Sequence, residues 1–139
     1  MGKYWENYVH DSDIGVRGIG ASIEEAFEQA ATALTAIITN PLNVDHLEEL
    51  DIACDAPDQD LLLVEWLDAI IHQMFTRNML FSRFAVKITE NQLQAHLWGE
   101  ALNLHKHHPA VEIKGVTCLD LHVLEDETGT WLAQCVVKV

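Results

Sequence analysis

The sequence predicts an α+β domain, and three observations carry that prediction. Residues 23–37 and 63–75 repeat their apolar side chains at helical spacing. The chain after Phe81 switches to apolar–polar alternation with period two, the spacing of half-buried strands. The 139 residues hold no internal repeat, no low-complexity tract and no Gly/Ser/Pro-rich linker, so residues 1–139 read as one domain.

Tyr4, Trp5, Tyr8 and Val9 give residues 4–10 the aromatic and β-branched bulk of a strand. Asp11, Ser12 and Asp13 follow as a turn, because short polar side chains bond their own backbone. Residues 14–20 alternate apolar side chains with Gly and Arg and form a second strand. Ser22 opens a helix through a capping box: its hydroxyl accepts from a first-turn amide and Glu25 reaches back. Ile23, Ala26, Phe27, Ala30, Leu34 and Ile37 make the apolar face, and Asn40-Pro41 ends the helix. Residues 47–54 form a strand, and Asp55 to Asp58 turn into a second helix over 60–77. There Leu63, Trp66, Leu67, Ile70, Ile71, Met74 and Phe75 line one buried stripe. Strands follow at Phe84, Val86 and Ile88, and at Leu93, Ala95 and Leu97. Further strands carry Val111 and Ile113; Leu119, Leu121 and Val123; and Trp131, Ala133, Cys135 and Val137. Residues 125–129 make a hairpin turn. The sum is a largely antiparallel sheet packed with two amphipathic helices.

Asp and Glu number 22 against 8 Lys and Arg, a net charge of −14. Neutralising phosphates takes a basic footprint, so direct nucleic-acid binding and docking to an anionic membrane are not expected. A cation or a basic protein surface is the natural partner. No apolar run approaches the ~20 residues that span a bilayer, and residues 1–6 lack an apolar signal segment, so the expected location is cytoplasmic. Cys54, Cys118 and Cys135 have no metal-ligand or CxxC spacing and read as reduced small hydrophobes.

Two segments offer chemistry. His10, Asp11 and Asp13 crowd one inter-strand turn, where carboxylates suit a hard cation such as calcium or magnesium, or simply solvate the turn. His105, His107 and His108 lie together; an extended His-x-His would put two rings on one side and suit zinc, while a solvated loop is the plainer reading. A metal-dependent hydrolase built on Asp13 with His105 and His107 has no assignable nucleophile or base. No phosphate-binding loop, dinucleotide fingerprint, HExxH or GxSxG motif is present.

The order of motifs resembles the archease family over essentially the whole chain. The turn His-x-x-Asp-x-Gly is His10, Asp13 and Gly15. The capped helix corresponds to residues 19–31, and "LL-x-x-WL" to Leu62, Leu63, Trp66 and Leu67. "LFS-F-V-I" is Leu80, Phe81, Ser82, Phe84, Val86 and Ile88; "WGE" is Trp98, Gly99 and Glu100. Residues 112–117 are similar to the family's "E-V-K-A-V-T" strand. The resemblance implies an α+β fold and a non-catalytic role. It implies an accessory protein of the RNA ligase that joins 2′,3′-cyclic-phosphate or 3′-phosphate ends to 5′-hydroxyl ends in tRNA splicing and RNA repair. Such a protein stimulates formation of the ligase's guanylylated histidine and supports multiple turnover. It also implies a divalent cation, calcium, held by Asp13 and the terminal carboxylate of Val139. Lys114 matches the strand lysine needed for activity, and His10 matches the turn histidine.

The chain departs from the family at its end and after Thr117. The family closes on Asp-Ile, whereas this chain has Lys138-Val139, so an ammonium stands at a ligand position. The family's aromatic after "VT" is Cys118, followed by Leu119. Replacing a carboxylate by an ammonium moves the local charge by two and opposes divalent binding, unless Lys138 points away. An alternative consistent with these departures is a chaperone-like binding module with a different basic protein partner and a weakened metal site.

Overall fold

A computed structural model describes residues 2–139. β1 (Tyr4–His10) and β2 (Asp13–Gly20) form the expected hairpin, with His10 opposite Asp13. Asp11 takes φ 52° in the turn, a left-handed conformation that Asp tolerates better than most side chains. α1 (Ile23–Ile38) begins at Ser22, whose Oγ accepts from the Glu25 N–H at 3.1 Å. The Glu25 carboxylate reaches back one residue further than a capping box requires, to the Ala21 N–H at 2.8 Å. A 3₁₀ turn at Pro41–Asn43 leads to β3 (Glu48–Asp55). α2 (Gln59–Arg77) is capped by Asp58 on the Leu61 N–H and ends at Asn78, also left-handed at φ 52°. β4 (Met79–Thr89), β5 (Gln92–Ala101), α3 (Leu104–His107), β6 (Gly115–Val116), β7 (His122–Glu125) and β8 (Trp131–Lys138) complete the order.

The strands form two antiparallel sheets where one was expected. In the first, β2 lies between β1 and β8, and β6 and β7 share the far edge of β8. The second runs β3-β5-β4. α1 and α2 each touch both sheets, which is how two sheets share one core. Phe27, Leu34, Trp66, Leu67, Ile70, Phe81 and Leu97 are fully buried there. Polar atoms that enter the core are partnered. The Trp66 indole N–H donates to the Phe27 carbonyl at 3.0 Å, and the Thr35 hydroxyl donates to the Phe81 carbonyl at 2.6 Å. No helix is long and apolar enough to cross a membrane among the described residues.

Several expectations are corrected. Val111 and Ile113 lie in irregular chain, and of the segment 119–123 only His122 and Val123 belong to a strand. β6 is two residues long and Lys114 immediately precedes it. These pieces pair only with β8, so their local alternation did not decide their structure. The buried stripe of α2 starts at Leu62 and ends at Met74, one residue earlier than the sequence stripe. Phe75 is therefore rotated out, 57% exposed, beside an apolar cleft of about 440 Å³ lined by Ile71, Met74, Leu102 and Ile113. Among the cysteines only Cys135 is buried; Cys54 is half-buried and Cys118 is exposed. Burial pushes the Cys135 thiol up to about 12 and the Cys54 thiol to about 11.

Candidate functional site

One peptide unit, Lys138–Val139, gathers the residues singled out in the sequence. Its N–H, from Val139, donates to Asp13 Oδ1 at 3.2 Å. Its C=O, from Lys138, accepts from the Lys114 N–H at 2.8 Å. Asp13 at the hairpin turn and Lys114 just before β6 thus hold this peptide from two sides. Asp13, Lys114, Lys138 and Val139 are brought together by β2, β6 and β8. His10 faces Asp13 across the turn and is half-buried. Its ring nitrogens approach Asp11 at 3.9 Å and Asp120 at 4.0 Å.

Tyr8 supports this tip. Its ring lies over Gly15, its cross-strand partner, and beneath the Arg17 guanidinium at 4.6 Å. Its hydroxyl donates to Asp120 Oδ2 at 3.2 Å. Partial burial, then the Asp120 carboxylate, push the Tyr8 phenol up to about 12, so it remains a donor at neutral pH. Lys114 and Lys138 are exposed, and neither forms an ion pair among the described residues. The Lys138 ammonium therefore leaves the Asp13 carboxylate unblocked.

His105, His107 and His108 are not a ligand set. They fall on and after the short helix α3, where residues two apart point in different directions. His105 is exposed, and His108 ends the helix at φ 47°. His107 is buried: its Nδ1 accepts the Asn103 N–H at 3.0 Å and its Nε2 lies 3.0 Å from Glu100 Oε2. Glu100 also takes the Asp45 N–H at 2.8 Å and the Lys106 ammonium at 2.7 Å. Burial alone would raise the Glu100 carboxyl, but Lys106, the Asp45 N–H and His107 outweigh it and bring it down to about 2. The "WGE" motif is thus structural at its Glu. It is structural at its Gly too, since a Cβ on Gly99 would sit 1.9 Å from the Leu80 carbonyl oxygen.

Sequence reading missed a second polar group, Glu49, Asp51 and His96, whose ligand atoms lie within 4.8 Å of one another and could hold a metal ion. Glu49 and Asp51 are two apart on β3, which puts both on one face. That spacing was the only available signal, because the β3–β5 register that adds His96 is not written locally.

The archease protein family model matches residues 5–139. The archease of Pyrococcus furiosus is 34% identical over 141 residues, covering 99% of each chain. That of Pyrococcus abyssi is 36% identical with the same coverage. The solution structure of Methanobacterium thermoautotrophicum protein 1598 superposes with a TM-score of 0.83 at 30% identity, covering 97% of this chain and 98% of that one. A Thermotoga maritima structure, described as an archease and possible chaperone, shares the fold with a TM-score of 0.62 at 18% identity, over 96% of each chain. With relatives this similar matched from end to end, and with the His10–Asp13–Gly15 turn seated where the fold closes on itself, the chain belongs to the archease family.

Proposed function

We propose that this protein is a non-catalytic accessory of an RNA ligase that joins 2′,3′-cyclic-phosphate or 3′-phosphate ends to 5′-hydroxyl ends. It would promote guanylylation of the ligase histidine and sustain multiple turnover. The reading is supported by membership of the archease family and by one geometric fact. The Lys138–Val139 peptide is held between Asp13 and Lys114, so one tip presents a carboxylate and an exposed ammonium together. The net charge of −14 suits a basic, RNA-binding partner.

In this reading the tip enters the ligase active site. Lys114 faces a phosphate of guanosine triphosphate as a point cation. Asp13 and the Val139 carboxylate hold a hard divalent cation, calcium, which supplies positive charge near those phosphates when bound. His10, set between Asp11 and Asp120, orders the turn that carries Asp13. Lys138 weakens the cation's hold through its positive charge, although it forms no ion pair with Asp13 among the described residues.

The deciding assay is guanylylation and multiple-turnover ligation by the cognate ligase, with and without this protein bearing an untagged C-terminus. Stimulation is expected, and Lys114→Ala and Asp13→Ala are each expected to abolish it while leaving Tm nearly unchanged. A folded protein that leaves an active ligase unstimulated would point instead to a different basic protein partner. Calorimetry with calcium tests the cation separately: Lys138→Asp should tighten binding by about tenfold or more, as the local charge changes by two.

A further inference from the structure

The outer face of the β3-β5-β4 sheet carries chemistry that the tip does not use. In the β3–β5 register Asp51 is opposite His96, and Glu49 is opposite Trp98. His96 Nδ1 lies 2.5 Å from Asp51 Oδ1 and 3.1 Å from Glu49 Oε1. A tetrahedral zinc site with nitrogen and oxygen ligands spaces its ligand atoms roughly 3.3 Å apart. Small side-chain rotations would therefore close this group around an ion.

Two features outside the three residues separate it from an ordinary surface ion pair. Trp98 Nε1 donates to Glu49 Oε2 at 3.1 Å, which turns the other oxygen, Oε1, toward His96. The Trp98 ring is itself covered by the Arg83 guanidinium at 4.6 Å. A hydrogen-bonded outer layer of this kind orients carboxylate ligands in metal sites. Second, neither Glu49 nor Asp51 has a Lys or Arg partner among the described residues. With a neutral imidazole the group carries two negative charges, which one divalent cation cancels. The ligand types select the ion: calcium gathers six to eight oxygens, whereas imidazole with two carboxylates suits a zinc-class cation.

We propose that Glu49, Asp51 and His96 form a surface site for a zinc-class divalent cation, distinct from the tip, with Trp98 as a positioning residue and water completing the coordination. A bound ion ties β3, an edge strand, to β5. The test is calorimetric titration of the metal-free full chain with zinc chloride, alongside thermal melts in saturating zinc. The expected result is one equivalent bound, with affinity reduced at least about tenfold by His96→Ala and by Asp51→Asn. The isosteric Asp51→Asn guards against a folding artefact. Trp98→Phe should cost about tenfold through loss of the Glu49 hydrogen bond, and Asp13→Ala should leave zinc affinity unchanged. Zinc should raise Tm in the wild type and not in His96→Ala. Failure of the wild type to bind zinc, or equal affinity in wild type and His96→Ala, would overturn the proposal. Neither result bears on ligase stimulation, so the two readings fail independently.

Discussion

A Cβ added to Gly15 would lie 2.1 Å from the Tyr8 ring, closer than any packing tolerates. The glycine two residues after Asp13 is thus the floor on which Tyr8 rests. Gly15→Ala should force the ring away, breaking the Tyr8–Asp120 hydrogen bond and the Arg17 stack, at about 2 kcal/mol. Denaturant unfolding measures the loss. Adding Tyr8→Ala should recover part of it, so the double variant is less destabilised than the two single effects combined. The family resemblance put His10, Asp13 and Gly15 in one motif; it did not show that Gly15 answers to Tyr8. Glu49, Asp51 and His96 were out of reach for a related reason. Each is an ordinary polar residue until the strand register sets them side by side.

Helices α1 and α2 were legible because their caps and apolar periods are local properties. The stretch from Asn103 to Val123 was not, because its partners come from elsewhere. α3 is held by Glu100 of β5, and β6 and β7 take their hydrogen bonds from β8. The Glu100 carboxyl, at about 2 against an ordinary 4.5, is the keystone of this connection. It binds a proton less readily folded than unfolded, so its contribution is fully present above about pH 4.5 and is lost as the pH falls toward 2. Glu100→Gln should therefore cost about 1–2 kcal/mol at neutral pH, discounted for solvent screening. The gap from wild type should narrow below about pH 4.5. Unfolding free energies of both proteins between neutral pH and pH 3 check this.

At the scale of the molecule, the excess of 22 acidic over 8 basic residues governs how the protein meets a partner more than how it folds. Its association rate with a basic protein should fall tenfold or more as ionic strength rises from about 0.01 M to about 0.15 M, with dissociation changing less. Stopped-flow mixing at several salt concentrations reads this directly. The single-domain reading and the α+β class followed from composition and periodicity, whereas the division into two sheets depended on where β8 inserts.

That insertion has a consequence in time. β8, residues 131–138, lies between β2 and the short strands β6 and β7. At a synthesis rate of roughly 5–20 residues per second, the β1–β2 hairpin and α1 exist for seconds before the strand that completes their sheet. During that interval the side chains destined to meet Ala133, Cys135 and Val137 lack those partners, and transiently exposed apolar surface of this kind favours aggregation. Once β8 arrives, sheet and tip close in one event, because the same strand that fills the gap carries the peptide that Asp13 and Lys114 hold. The tip thus depends on β8: Asp13 and Lys114 find the Lys138–Val139 peptide only once that strand has been made and paired.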